Sequence, residues 1–157
     1  MKNIQMIKHP YKILIMGLPG AGKTWLAKRL KKDLNCAHYN ADSIREDAND
    51  WDFSEEGRYR QALRMKNIAD FEKSQGRTVI CDFVCPTNEL RYIFNPDVLV
   101  FVDTVKEGRF EDTNRLFERP NPSSVDFRVE TKAADVNADA IVKYITMMEK
   151  DRVWPKQ

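Results

Sequence analysis

The chain has 157 residues, of which 42% are hydrophobic and 32% charged, with a formal net charge of +2. This length and apolar content exclude a disordered polypeptide and predict one domain, residues 1–157, with a buried core. Lys and Arg are spread along the chain, which excludes a strongly basic nucleic-acid footprint while leaving room for a local patch.

Taken in chain order, Lys2, Lys8 and Lys12 precede a short apolar run that ends at Gly17. The run is too short for a signal-peptide core or a bilayer span, so a cytoplasmic protein without membrane contact is expected. Lys12 to Met16 reads as a buried strand stopping at a glycine-rich turn. Lys23 to Leu34 carries Leu26, Ala27, Leu30 and Leu34 at helical spacing. Ala37 to Asn40 reads as a second strand, and Asp42 caps a short helix, Ser43 to Ala48, in the plainest reading of its position. Ser54 is the expected N-cap of a longer helix, with Glu55 and Glu56 in its first turn, ending near Ser74 and stopped by Gly76. Arg77 to Cys81 and Asp97 to Val102 are apolar strands ending at Asp82 and Asp103, and Asp126 to Glu130 is a weaker strand. Asn137 is expected to cap a last helix bearing Ala138, Ile141, Val142, Ile145 and Met148 on one face. Near-continuous apolar strands alternating with helices predict an α/β fold, a doubly wound parallel sheet covered on both sides.

Strand, then Gly17-Leu18-Pro19-Gly20-Ala21-Gly22-Lys23-Thr24, then helix is the context in which this spacing denotes a phosphate-binding loop. Residues lacking a Cβ let the backbone turn its N–H groups inward, and the positive end of the following helix adds to the nest for a polyanion. Lys23 is placed to reach the β- and γ-phosphates of ATP, and the Thr24 hydroxyl to coordinate Mg²⁺. The guanine-reading and switch segments of a GTPase are absent, and motor proteins need longer chains. A carboxylate past the second strand and arginines beyond it are the parts of a kinase.

The order of these residues resembles the adenylylsulfate kinase family, whose members phosphorylate the 3′-hydroxyl of adenosine 5′-phosphosulfate. The likeness spans residues 12 to 104. Residues 17–24 are similar to its phosphate loop, with Pro19 where Ser is usual. Asn40-Ala41-Asp42-Ser43-Ile44-Arg45 resembles its Asp-Gly-Asp-Asn-Val-Arg segment. Phe53-Ser54-Glu55-Glu56 followed by Arg58 resembles Gly-Phe-Ser-x-x-Asp-Arg, and Gln61 stands for its Asn. Val84-Cys85-Pro86 stands where Ile-Ser-Pro is expected, and Phe101-Val102-Asp103-Thr104 is similar to the end of its fourth strand. The resemblance implies a P-loop three-layer sandwich and an ATP- and Mg²⁺-dependent kinase of sulfate assimilation. It gives Asp42 the acceptor hydroxyl and a share of the metal, and Arg45 and Arg58 the acceptor's anion. Phe53 stacks on the acceptor base, and Gln61, Cys85 and Pro86 complete the acceptor side.

The family's lid segment is missing. Residues 109–119 replace it, and Arg109, Arg115 and Arg119 are the residues that can close on phosphates. Asp82, followed by Thr87-Asn88, resembles polynucleotide-kinase-like enzymes and competes with Asp42 as the base, or serves as a second carboxylate for magnesium. The expected partner is a small, nucleotide-like acceptor; a nucleoside or a hydroxyl on nucleic acid is the alternative, and a nucleotide-binding regulatory module without acceptor chemistry is the reading of another class. A homodimer is compatible with these features.

Plainer readings compete at several positions. Arg60 reads as solvated helix face, and Phe53 beside Trp51 as a small satellite core. Cys36, Cys81 and Cys85 read as reduced thiols, and His9 and His38, lacking partner motifs, as neither ligands nor catalysts.

Overall fold

The computed structural model describes residues 7–151. Five strands, β1 (Lys12–Met16), β2 (Ala37–Asn40), β3 (Val79–Asp82), β4 (Val98–Val102) and β5 (Phe127–Val129), form one sheet in the order β2-β3-β1-β4-β5. Every pairing is parallel. Among the described residues six α-helices connect and cover them: α1 (Lys23–Leu34), α2 (Ala41–Ala48), α3 (Glu55–Ser74), α4 (Asn88–Phe94), α5 (Glu111–Leu116) and α6 (Ala134–Asp151).

Alternation along the strands divides the core into two layers. Ile13 and Ile15 of β1 join Leu26 and Leu30 of α1 and Ile141 and Ile145 of α6 on one face. Leu14 and Met16 join Met65 and Ala69 of α3 and Leu90 and Phe94 of α4 on the other. Helices on both faces of an all-parallel sheet make the doubly wound, three-layer sandwich that the sequence predicted. Lys12, 4% exposed in the middle of this structure, is tolerated because its ammonium donates to the Phe94 carbonyl at 2.5 Å and pairs with Asp70 at 2.6 Å.

Two cap positions are corrected, and the Thr87-Asn88 pair is located in the fold. Asn40, not Asp42, caps α2: its side chain accepts from the Ser43 amide at 3.0 Å, so the helix starts two residues early and Asp42 lies in its first turn. Helix α6 begins at Ala134, and Asn137 lies inside its first turn, where its amide donates to the Thr131 carbonyl at 3.0 Å. Thr87 and Asn88 open α4: the Thr87 hydroxyl accepts from the Leu90 amide, and Asn88 Oδ1 accepts from Arg91, so this pair is a helix cap. The periodicity of the sequence did not reveal α4 and α5, which are only seven and six residues long. Ser54 does cap α3, accepting from the Gly57 amide at 3.2 Å.

Candidate active site

The carboxyl ends of β1, β2 and β3 open on a cavity of about 830 Å³. Parallel strands direct their C-terminal loops to one edge, which is where open α/β sheets hold ligands. The phosphate loop forms its floor. Gly22 caps α1 in a left-handed conformation, φ 101°, which a side chain rarely adopts, and α1 begins at Lys23 with its amides toward the cavity. Lys23 is buried and donates to the Leu18 carbonyl at 2.9 Å. Burial lowers its ammonium pKa to about 8, although the charges of Asp82 and Asp42 pull the other way.

Asp82, at the tip of β3, is 1% exposed and held on three sides. Its Oδ1 accepts from Asn40 Nδ2 at 2.9 Å and from the Thr24 hydroxyl at 3.2 Å. Its Oδ2 bonds Nε2 of His38. Asp42 has a different setting: it lines the cavity from the first turn of α2, is exposed, and has no hydrogen bond or ion pair among the described residues. The sequence treated these carboxylates as rivals for one role, and the fold puts them in unlike environments.

The opposite wall comes from the loop before α3. Arg45, 4% exposed, donates to the carbonyls of Asp50 at 2.8 Å and Asp52 at 3.1 Å and lies over the Phe53 ring at 4.3 Å. Its guanidinium therefore builds the loop that presents Phe53. Arg60 and Arg64 hold the same loop through Asp50, so Arg60 is more than a solvated face. Gln61 donates to the Ala41 carbonyl at 3.0 Å, fixing α2 against α3. Phe53, half-exposed on the cavity, has its ring centroid 6.5 Å from that of Trp51, and Trp51 lines the cavity as well. Arg58 donates to the Phe53 carbonyl at 2.9 Å and to the Thr113 hydroxyl at 3.3 Å, with Asp112 at 3.5 Å. Cys85 and Pro86 also line the cavity; burial pushes the Cys85 thiol up to about 12, which makes it a poor nucleophile.

Residues 109–119 adjoin the phosphate loop through Gly108, which packs against Pro19 and whose backbone makes a pair of hydrogen bonds with Asn114. Arg109 lines the cavity, whereas Arg115 does not, and Arg119 is held by Asp103 at 2.6 Å outside it. Trp25 and Lys132 are among the lining residues that carried no signal in the sequence. Trp25, 79% exposed, follows Thr24 on α1, and Lys132 comes from the loop after β5, against Gly22.

Thr24 and Asp82 place two hard oxygens 3.2 Å apart beside the phosphate nest. This fits Mg²⁺, which takes one or two protein oxygens and completes its shell with phosphate and water. No cluster of three or more His, Cys, Asp or Glu residues suited to a metal occurs among the described residues.

A family model for adenylylsulphate kinase matches residues 9–119. The chain belongs to the adenylylsulphate kinase family. The match ends at Arg119, so β5, α6 and Lys132 lie beyond it. No curated protein sequence matches the chain. Among solved structures, an APS kinase of Mycobacterium tuberculosis in complex with AMPPNP and APS has a TM-score of 0.73 at 20% identity, covering 87% of this chain and 98% of the other. A sugar kinase from Janibacter has a TM-score of 0.72 at 13% identity over 92% and 99%. A shikimate kinase from Acinetobacter baumannii, in complex with shikimate, has a TM-score of 0.63 at 20% identity over 96% and 100%. At these identities the likeness is one of fold, and the fold is that of P-loop kinases. No helix among the described residues is long and apolar enough to cross a membrane.

Proposed function

We propose that this chain transfers the γ-phosphoryl group of ATP to a hydroxyl of a nucleotide-like acceptor, with adenosine 5′-phosphosulfate the foremost candidate. The observation that carries this reading is the shared cavity: the phosphate loop, the unpartnered Asp42 carboxylate and the Phe53–Arg58 wall all face one space. ATP lies with its phosphates on residues 17–24, its γ-phosphoryl near Lys23. Thr24 and Asp82 would hold Mg²⁺, which would supply positive charge to offset that of the phosphates. Asp42 takes the proton of the acceptor hydroxyl as the new O–P bond forms, and the bond to the β-phosphate oxygen breaks to release ADP. Arg109 offsets charge on the transferred group as the lid closes. Phe53 stacks on the acceptor base and Arg58 meets its anion. Asp82 is better suited to the metal than to the proton, because both of its oxygens already accept hydrogen bonds.

A neutral nucleoside hydroxyl is a second reading, favoured by one observation. Arg45 is committed to carbonyls and Arg58 has Asp112 beside it, so the acceptor wall carries less free positive charge than the resemblance implied. Transfer of label from ATP to adenosine 5′-phosphosulfate, run beside nucleosides and hydroxymethylated DNA, tests both. Label on the sulfate ester alone supports the first reading, label on a nucleoside supports the second, and label on DNA points instead to a hydroxyl carried by nucleic acid. No transfer to any acceptor, with ATP bound, points to a regulatory module. Asp42→Asn is expected to lower turnover about 100-fold or more while sparing ATP binding; if Asp82→Asn does so instead, the two roles are exchanged.

A further inference from the structure

Asp82 is clamped by two residues of one strand. His38 and Asn40 are two apart on β2 and therefore share a face of the sheet. Parallel register sets Asn40 directly opposite Asp82 and His38 opposite Ile80, so both side chains turn toward the Asp82 carboxylate and the layer holding α1. Asn40 takes Oδ1 and His38 takes Oδ2. Tyr39, between them, faces the other way and donates to Glu72 of α3 at 2.5 Å. The His38 side chain is 8% exposed and that of Asp82 2%. An ionised carboxylate has no proton to donate, so Nε2 of His38 carries the hydrogen in this contact.

We infer that His38 is a positioning residue for the metal-side carboxylate: it holds Oδ2 of Asp82 so that Oδ1 stays turned toward the Thr24 hydroxyl. The inference rests on the reading of Asp82 as a carboxylate for the cation. A carboxylate on a strand tip rotates about χ2 between roughly equivalent settings unless both oxygens are held. Asn40 and Thr24 alone restrain one oxygen, and the imidazole restrains the second. Outer partners of this kind matter to metal sites because they orient the oxygen that meets the ion before it arrives. The plain alternative is a core histidine that needed a partner and found Asp82.

Calorimetric titration of Mn²⁺ into the full chain saturated with AMPPNP separates these. His38→Ala is expected to weaken Mn²⁺ binding about 10-fold, the low end of the cost of losing an outer-shell partner. His38→Gln, whose amide can donate from near the place of Nε2, is expected to restore most of the affinity. AMPPNP binding in EDTA should be unchanged in both. If Asp82→Asn weakens Mn²⁺ binding while His38→Ala does not, the ring only packs and the inference is overturned. If Asp82→Asn also leaves Mn²⁺ binding intact, the reading of Asp82 falls, and the inference with it. Should His38→Ala not fold, His38→Asn replaces it; its amide stops short of Asp82, so it weakens Mn²⁺ binding if His38 positions the carboxylate and leaves it unchanged if the ring only packs.

Discussion

Arg58 Nη2 donates to the Thr113 hydroxyl at 3.3 Å, linking α3 to the short helix α5 at the wall of the cavity. Thr113 is buried although it belongs to a charged six-residue helix, and this bond satisfies its hydroxyl. A hydrogen bond from a charged donor contributes about 1.5–3 kcal/mol, and Asp112 nearby retains part of it. Thr113→Val should therefore raise KM for the acceptor roughly tenfold and leave kcat within about twofold, as expected when positioning rather than chemistry is lost. Steady-state kinetics with varied acceptor checks this, and an unchanged KM would show that α5 does not sense the acceptor wall.

Lys23 is a buried cation. Its folded-state pKa of about 8 lies below the ordinary 10.5, so the folded protein bears the cost of the buried charge below pH 8 and is relieved of it as pH rises toward 10.5. Lys23→Met should consequently raise the Tm of the nucleotide-free protein at pH 7, with the advantage shrinking between pH 8 and 10.5. The same variant should show no ATP-induced stabilisation. In the wild type, kcat/KM for ATP should fall as pH passes about 8, because that parameter reports the free enzyme. Scanning calorimetry and a pH–rate profile measure the two halves of this prediction.

Gly57 sits in the first turn of α3 with a built Cβ only 2.1 Å from the Asp52 carbonyl oxygen. Replacing Gly by Ala inside a helix usually gains up to about 1 kcal/mol, while overpacking costs about 1–3 kcal/mol. Contact with backbone cannot be relieved by a rotamer change, so the cost wins. Gly57→Ala should lower Tm and shift the 50–53 loop, raising KM for the acceptor through Phe53 more than KM for ATP. A variant of unchanged Tm would contradict the packing argument.

Glu149 of α6 ties the segment before β1 to the last helix. It accepts from the amides of Lys8 at 2.9 Å and His9 at 3.2 Å, meets His9 Nδ1 at 2.7 Å, and accepts from the Tyr11 hydroxyl. Burial opposes its charge, yet these hydrogen bonds hold its pKa below the ordinary carboxyl value of 4.5. A lowered folded pKa means stability that is present above pH 4.5 and is lost as pH falls through the folded value. Glu149→Gln should cost about 1–3 kcal/mol at pH 7. The gap to wild type should close on acidification, as denaturant melts at pH 7 and pH 4 would reveal.

The residues that act locally were legible from the chain alone. The apolar pentapeptide Lys12 to Met16, the glycines of the phosphate loop and the 3.6-residue pattern of α1 are short-range signals, and they specified the α/β class, the parallel sheet and the nucleotide end of the site. The Ser54 cap was legible for the same reason: a hydroxyl three residues before an orphan amide needs no distant partner. Local reading misplaced the cap of α2 because Asn40 and Asp42 are both good caps, and the choice between them depended on where β2 ends against β3.

What only the tertiary structure decided are relationships between strands that are distant in sequence. His38 had no neighbour in the chain to suggest a role; its partner Asp82 lies 44 residues away and is reached through the β2–β3 register. Trp25 and Lys132 became cavity residues because α1 and the loop after β5 meet at Gly22. Arg45 and Arg119 look like anion readers in a string of residues, yet the fold gives their donors to carbonyls and to Asp103. Hydrogen bonding, burial and charge pairing across strands are set by packing, so a linear sequence carries them only implicitly, and the separate surroundings of Asp42 and Asp82 come into being when the sheet closes.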